Sequence, residues 1–162
     1  WWFGQSTGSW KKRQLTDQPT GEVRDGKLPG GQRFIATIEP MHGTTVAVYL
    51  QPGSNKQLWP RQVLDDTLKD GHAVAVADLL GIGSDQIVAG WRAQTPKGVP
   101  GIRLFTPLDK EGKNWRTTAI SAEEVAVEDM KVADLNGDGK PDIIAAGRQT
   151  KNLRIYFNEG SK

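Results

Sequence analysis

The chain has 162 residues, of which 36% are hydrophobic and 25% charged, and this composition is typical of one loop-rich globular domain. Its 21 basic and 19 acidic residues are spread along the sequence and leave a net charge of +2, which disfavours a nucleic-acid-binding surface. The absence of cysteine excludes disulfides and thiolate chemistry, and no segment approaches the roughly 20 apolar residues that would span a membrane.

Short segments of alternating polar and apolar residues, bounded by Gly, Asn and Asp, predict antiparallel β-strands along the chain. Residues 1–16 are predicted to contribute only outer strands, at 1–5 and 10–15. Residues 30–65 are predicted to form a shortened unit that ends in an outer strand at 59–64. The first part of the chain is therefore expected to hold incomplete structural units.

The unit at 71–121 is the complete one, and its four predicted strands lie at 73–79, 86–91, 101–106 and 115–120. A related unit at 125–158 keeps the first three strands and lacks the fourth. Four short strands that recur at a period of about 50 residues are typical of a β-propeller blade.

A common offset supports the repeat. Asp134 follows Asp78 by 56 residues (134 − 78 = 56), and Trp115 follows Trp59 by the same distance (115 − 59 = 56). A β-sandwich is the alternative, but it gives no reason to repeat one loop and one tryptophan at a fixed offset. We therefore predict an all-β chain of four-stranded propeller blades.

The number of predicted blades is too small to close a ring of the usual ~4 to 8. The chain is expected to be an incomplete part of a larger propeller of about seven blades. The remaining blades would come from the parent chain, from a second copy or from another polypeptide.

One loop has the spacing of a calcium site. Asp134, Asn136, Asp138 and Asp142 occupy positions 1, 3, 5 and 9, and the carbonyl of Lys140 is free to supply position 7. Hard oxygen ligands at this spacing favour Ca²⁺. An EF-hand is excluded because Ala145 stands where its bidentate glutamate would be and because the flanking segments are predicted strands.

The equivalent loop of the preceding unit serves as an internal control. It keeps Asp78, but Leu80, Ile82 and Gln86 replace the other three side-chain ligands. This loop is expected to bind no metal, and its leucine and isoleucine are expected to pack against the blade instead. Calcium in the intact loop would then be structural.

The segment from Val132 to Ile143 resembles the FG-GAP/VCBS repeat, a propeller blade with a calcium loop. The residues at 38–43, 71–73, 127–129 and 146–152 are similar, in this order, to the propeller of the aldos-2-ulose dehydratase group. The likeness covers about residues 30–158. It implies a secreted or periplasmic protein, and lyase or dehydratase activity on keto- or anhydro-sugars.

Candidate catalytic residues come from the ends of the inner strands, since propeller ligands usually bind where those ends converge. Alignment of Glu39 with Asp78 puts Arg33 and His72 at one level around the axis, together with Glu128. Such a polar ring could bind a sugar, withdraw a proton and stabilise an enolate.

His42, the other histidine of the chain, is the fourth catalytic candidate because it follows the proline that ends a predicted strand. Glu39, Trp91 and Arg148 are candidate substrate-binding residues, with Trp91 able to stack on a sugar ring. Each histidine could also be a structural hydrogen-bond partner, and Arg148, like its repeat mate Arg92, could clamp carboxylates between blades.

Two classes of function stay open at this point. One is a carbohydrate-binding propeller with lyase chemistry, which the dehydratase-like motifs favour. The other is a non-catalytic scaffold or adhesion module of the FG-GAP/VCBS type, in which the histidines are architectural and the blades bind protein.

Overall fold

The computed structural model describes residues 10–54, 58–93 and 98–160. These residues fold into eleven β-strands arranged as three antiparallel sheets, with no helix among them. The prediction of an all-β chain with propeller-like blades is confirmed, and the three sheets do not close a ring. Within the same ranges there is no helix that is long and apolar enough to cross a membrane.

The first sheet has four strands in chain order: β1 Val23–Lys27, β2 Arg33–Glu39, β3 Thr45–Leu50 and β4 Arg61–Asp65. Strand β1 precedes the predicted unit at 30–65 and completes its blade. It lacks an apolar alternation and packs instead through Gly26, where an added Cβ would lie only 2.3 Å from the Phe34 ring. Strand β2, which was predicted to be the first strand of the unit at 30–65, is therefore the second strand of its sheet.

The second sheet contains β5 Gly71–Ala77, β6 Gln86–Trp91, β7 Gly101–Pro107 and β8 Trp115–Ala122. The third sheet contains β9 Asp129–Ala133, β10 Asp142–Gly147 and β11 Asn152–Tyr156. The four strands of the second sheet agree with the predicted ones to within two residues at each end, the usual uncertainty of strand boundaries, and the third sheet has the three strands predicted for residues 125–158. All neighbouring strands are antiparallel and consecutive in sequence.

The predicted outer strand at 10–15 is not a strand. Trp10 is 95% exposed, and this segment meets the first sheet through a hydrogen bond from the Trp59 amide to the Leu15 carbonyl (2.9 Å). The strand predicted at 1–5 lies outside the described residues.

Two apolar cores separate the sheets. Phe34, Ile38 and Phe105 belong to the core between the first and second sheets, while Ile102 and Met130 belong to the core between the second and third. Every residue of β6 is buried, so the second sheet is covered on both faces. Strand β5 contacts both β1 and β9, which brings the first strands of the three sheets side by side. This stacking of sheets is what brings distant polar residues together at one end.

Candidate functional site

Five polar residues from all three sheets meet at one end of the stack, and we name them the inter-blade cluster. His42 lies in the β2–β3 turn, Asp70 immediately before β5, His72 within β5, Arg92 directly after β6 and Glu128 directly before β9. Each residue therefore stands at a strand end or in a short turn. Because the sheets stack with their first strands adjacent, these ends converge.

Arg92 is the centre of the cluster. Its Nε donates to Asp70 Oδ2 (2.9 Å) and its Nη2 to Asp70 Oδ1 (3.0 Å), a bidentate pair. Its Nη1 donates to Glu128 Oε2 (3.2 Å), and Nη2 also contacts Nδ1 of His42. With only 7% of its side chain exposed, Arg92 links all three sheets through one guanidinium group.

The two carboxylates of the cluster are held in the ionised state. Burial raises the pKa of Asp70, but the hydrogen bonds and charge of Arg92 outweigh it and leave that pKa below its ordinary value. The same balance of burial against Arg92 lowers the pKa of Glu128. Hydrogen bonds to Asp70, ahead of those to Glu128, raise the pKa of Arg92. All three groups are therefore charged at neutral pH.

The two histidines are in direct contact. Their rings meet edge to face, with centroids 4.6 Å apart and planes at 89°. His72 Nε2 lies 3.9 Å from Glu128 Oε1, whereas its Nδ1 is buried and has no hydrogen-bond partner among the described residues. The register of β5 against β6 shifts between Gly71 and Ala73, so His72 sits at a β-bulge, a feature that re-aims a side chain.

His42 has two partners at one ring nitrogen. Its Nδ1 contacts Nη2 of Arg92 and lies 3.2 Å from Asp70 Oδ1. A guanidinium can only donate and a carboxylate can only accept, so the position of the ring proton decides which of the two hydrogen bonds forms. The His42 side chain is 41% exposed, which leaves part of the ring open to a ligand.

Backbone conformation in this region is unusual. His42 (φ 63°) and Asp70 (φ 65°) both lie in the left-handed region, as does Ala93 (φ 54°), which follows Arg92. Non-glycine residues adopt it rarely, and observed outliers of this kind are found preferentially at functional sites. The turns thus hold side chains at the cluster where glycine would be less strained.

Of the four candidate catalytic residues, the structure brings His42, His72 and Glu128 together and leaves Arg33 apart. Arg33 begins β2 and pairs with Asp25 on the surface, roughly 20 Å from the end of this seven-residue strand. The wrong alignment of Arg33 with His72 has a simple cause. Because β1 is the first strand of the first sheet, β2 corresponds to β6, and Arg33 corresponds to the start of β6 and not to His72.

Glu39, a candidate substrate ligand, is buried inside the first sheet. Its carboxylate accepts hydrogen bonds from Thr37 Oγ1 (2.8 Å), from Arg61 Nη2 (2.7 Å) and from the Tyr49 hydroxyl. Only 4% of the residue is exposed. This buried network braces β2, β3 and β4 and leaves Glu39 no accessible oxygen for a sugar.

Trp91 and Arg148 differ in accessibility. The Trp91 indole donates to the Val99 carbonyl (2.6 Å), the Arg103 guanidinium lies 4.8 Å from its ring centroid, and only 8% of the residue is exposed, so little of the ring is open for stacking on a sugar. Arg148 follows β10, is 75% exposed, and places Nε 3.9 Å from Glu128 Oε2. It therefore stands at the rim of the cluster, where a ligand could reach it.

Two members of the cluster, Asp70 and Arg92, were not among the candidate residues. A signal for Arg92 was present, because it matches Arg148 at the 56-residue offset of the repeat (148 − 92 = 56). Asp70 precedes Gly71 and has the appearance of an ordinary Asp-Gly turn. Only the stacking of the sheets identifies it as a partner of Arg92.

The predicted calcium loop joins β9 to β10, and its two end carboxylates bind the main chain. Asp134 accepts from the amides of Gly137 (2.7 Å) and Gly139 (2.9 Å). Fully buried Asp142 accepts from the amides of Leu135 and Asn158, both at 2.9 Å. These bonds hold the loop closed and fix it to the end of β11.

The middle of the loop is exposed. Asn136 Oδ1 accepts from the Asp138 amide (3.0 Å), and Asp138 Oδ1 accepts from the Lys140 amide (2.9 Å). That amide hydrogen bond is the main cause of a lowered pKa at Asp138. The oxygen donors are of the type that calcium prefers, and each keeps a lone pair beyond its amide bond. As the side chains stand, no three acidic, histidine or cysteine groups of the described residues converge on a metal position.

The equivalent loop of the second sheet is braced in the same manner. Asp78 accepts from the amides of Ile82 (2.9 Å) and Gly83 (2.8 Å), and buried Gln86 accepts from the Leu80 amide (2.9 Å). The expected packing of its apolar residues is not found, because Leu80 is 42% and Ile82 54% exposed. Hydrogen bonds from the first acid and the last polar residue therefore hold both loops, whatever stands between them.

Comparison with models of known protein families finds no match, and comparison with curated proteins finds none either. The resemblance to FG-GAP/VCBS and dehydratase propellers rests on the motif residues alone. Any function of this chain has to be inferred from the geometry of its own residues.

Proposed function

We propose that the chain is a segment of an exported, calcium-stabilised β-propeller that binds a carbohydrate at the inter-blade cluster. The observation that carries the proposal is the contact between two histidines beside an ionised glutamate, with a buried arginine that contacts both the glutamate and His42. Titratable groups gathered at converging strand ends are a common feature of binding sites. A polyol suits the cluster, since hydrogen-bond donors and acceptors are both present.

The chemistry that this arrangement best supports is β-elimination of water from a keto-sugar. Glu128 accepts the proton on the carbon next to the carbonyl, and the C–H electron pair forms an enolate. When the carbonyl re-forms, the enolate electron pair moves into a new carbon–carbon double bond and expels the β-hydroxyl. The hydroxyl leaves as water after taking a proton from the imidazolium form of His42, which becomes neutral imidazole. Each role is within the ordinary range of general acid–base catalysis by carboxylate and imidazole.

His72 supports Glu128 in this scheme. Its Nε2 faces the carboxylate at 3.9 Å, close enough to share a proton once a bound ligand draws the groups together. Arg92 keeps Glu128 ionised and in place.

Calcium is assigned to the loop of Asp134, Asn136, Asp138, Asp142 and the Lys140 carbonyl. The support is the donor chemistry and the exposure of the middle of the loop, where Asn136 and Asp138 can turn toward an ion. Extracellular calcium modules bind with Kd of roughly 10⁻⁴ to 10⁻³ M, which suits an exported protein with a loop of this exposure. Calcium would then tie β9, β10 and the end of β11 together.

The proposal is tested with the whole chain and a panel of 1,5-anhydro-ketoses and 2-keto-aldoses. Binding is followed by chemical-shift changes, and proton removal by uptake of deuterium from D₂O at the carbon next to the carbonyl. Binding with deuterium uptake that His72→Asn and Glu128→Gln abolish is the expected result. Arg33→Gln is the matched control, because its side chain lies at the far end of β2 and should leave both signals unchanged.

A scaffold or adhesion function is the second candidate, and one surface favours it. The outward face of the third sheet exposes Leu153 (66%), Ile155 (43%) and Phe157 (54%). Exposed apolar patches mark contacts with other protein surfaces, here a further blade of the parent protein, a second copy or another polypeptide. If no sugar binds, while Leu153→Lys abolishes self-association in light scattering, the scaffold function stands and the carbohydrate function does not.

A further inference from the structure

Beside the inter-blade cluster lies a small pocket with an excess of positive charge. It has a volume of about 250 Å³ and is lined by Arg92, Glu128, Arg148, Gln149 and Lys151. Three of these residues are cations and one is an anion. The pocket is smaller than typical sites for drug-sized molecules, so it fits a single sugar ring or part of one.

The cations differ in how free they are. Arg92 is occupied by Asp70 and Glu128, whereas the Arg148 side chain is 75% exposed and approaches Glu128 only to 3.9 Å. The ammonium of Lys151 has no ion-pair partner among the described residues. Two cations therefore remain available to an anionic ligand.

One turn supplies both available cations. Residues 148–151 connect β10 to β11, and the Lys151 amide donates to the Arg148 carbonyl (3.3 Å) across the turn. Lys151 itself has φ 53°, a conformation in which a glycine or asparagine would be less strained. The turn thus holds Lys151 at a conformational cost. The other cation of the turn, Arg148, is able to bind a carboxylate through two parallel hydrogen bonds.

We propose that the carbohydrate bound at the cluster carries a carboxylate, as a uronic acid does, and that Arg148 and Lys151 bind that group. The inference rests on the proposed carbohydrate-binding function and specifies its substrate class. Gln149 and Glu128 line the same pocket, so the Gln149 amide can bond a ring hydroxyl while the ring itself reaches Glu128. Neutralising a carboxylate next to a C–H bond also makes that proton easier to remove, which agrees with proton abstraction by Glu128.

The test compares methyl α-galacturonide with methyl α-galactoside, two probes that differ in the carboxylate. The acid is expected to bind at least about tenfold more tightly at low salt. That advantage should shrink as NaCl rises from about 10 mM to about 0.5 M, because screening weakens exposed ion pairs. A double variant, Arg148→Gln with Lys151→Gln, should bind both probes equally, and Arg154→Gln on β11 should keep the preference.

The outcomes separate this inference from the function on which it rests. Equal binding of the two probes by the unaltered chain would overturn the uronate inference and leave carbohydrate binding intact. Competition by inorganic sulfate at the same concentration as the galacturonide would also overturn it, since any anion would then suffice. Absence of binding by both probes, in a chain that keeps its circular dichroism spectrum, would overturn the uronate inference, and binding of the keto-sugar panel then decides the proposed function separately.

Discussion

Replacing Arg92 by methionine tests whether one guanidinium holds the three sheets together. The side chain is 7% exposed and bonds Asp70 and Glu128, which are 19% and 28% exposed. Removing one partner of a buried ion pair costs about 3 to 5 kcal/mol, because the other charge stays behind unpaired. Partial exposure of both carboxylates lets water compensate in part, so the lower end of that range, about 3 kcal/mol, is expected.

Urea denaturation measures this loss. With a slope of about 2 kcal/mol per molar urea, a loss of 3 kcal/mol lowers the midpoint by about 1.5 M. Arg33→Met is the control, since its pair with Asp25 is more than half exposed on both sides and exposed pairs contribute about 0 to 1 kcal/mol. If both variants shift the midpoint equally, Arg92 is not the link between sheets that its contacts indicate.

A double-mutant cycle assigns the loss to the right partner. Asp70→Asn, Arg92→Met and the double variant should show a coupling energy above about 1.5 kcal/mol, because the two side chains share a bidentate contact. Additivity to within about 0.5 kcal/mol would contradict a direct interaction. The cycle also removes any contribution from the apolar stem of the arginine, which both Arg92 variants lose.

The dependence of stability on pH is an independent check on the same residues. Arg92 holds the pKa values of Asp70 and Glu128 below their ordinary values, so the folded chain binds fewer protons than the unfolded chain in that range. The resulting stability is present above about pH 4 and is lost as the pH falls through the lowered values. In Arg92→Met this part of the pH dependence should disappear, and urea midpoints measured from pH 6 to pH 2 will show it.

Three further predictions concern the loop and the cores. Calcium at about ten times its Kd should stabilise the folded chain by about 1.4 kcal/mol and so raise the melting temperature relative to chelator. Asp138→Ala should remove this effect and Asp78→Ala should keep it, while equal melting curves in the unaltered chain would rule out a structural ion. Glu39→Gln should lower the free energy of unfolding by about 2 kcal/mol, because Arg61 then loses its counter-charge. Urea denaturation measures this loss, and an unchanged midpoint would show that the hydrogen bonds to the Glu39 carboxylate are dispensable. Gly90→Ala should cost about 1 to 3 kcal/mol in the same assay, since its Cβ would lie 2.7 Å from the Val127 side chain, and a neutral effect would mean that the second core yields easily.

The fold was largely predictable because it repeats. The 56-residue offset between Asp78 and Asp134 located the second and third sheets, and alternation located the four strands of the second sheet to within two residues. Strand β1 was not predicted, because it pairs through its main chain and packs through Gly26 rather than through an apolar face. A strand of this kind leaves no periodic signal, and its omission displaced the alignment of the first sheet by one strand.

Only the site residues that stand at strand ends could be predicted from the sequence. His42, His72 and Glu128 were chosen because they stand at such ends, and stacking of the sheets does bring them together. Arg33 was chosen through the displaced alignment and lies elsewhere. Asp70 joins the cluster through contacts between sheets, and contacts of that kind depend on how whole sheets stack, which no local pattern encodes.

The left-handed backbone at His42 and Asp70 has a consequence for attempts to stabilise this protein by sequence design. A method that scores the backbone would place glycine or asparagine at both positions, since these residues adopt φ near 63° and 65° with little strain. Each such choice would gain local stability and delete a side chain that contacts Arg92. Design by backbone preference would thus remove side chains of the inter-blade cluster first. A stabilised variant that keeps His42 and Asp70 has to obtain its added stability from the cores.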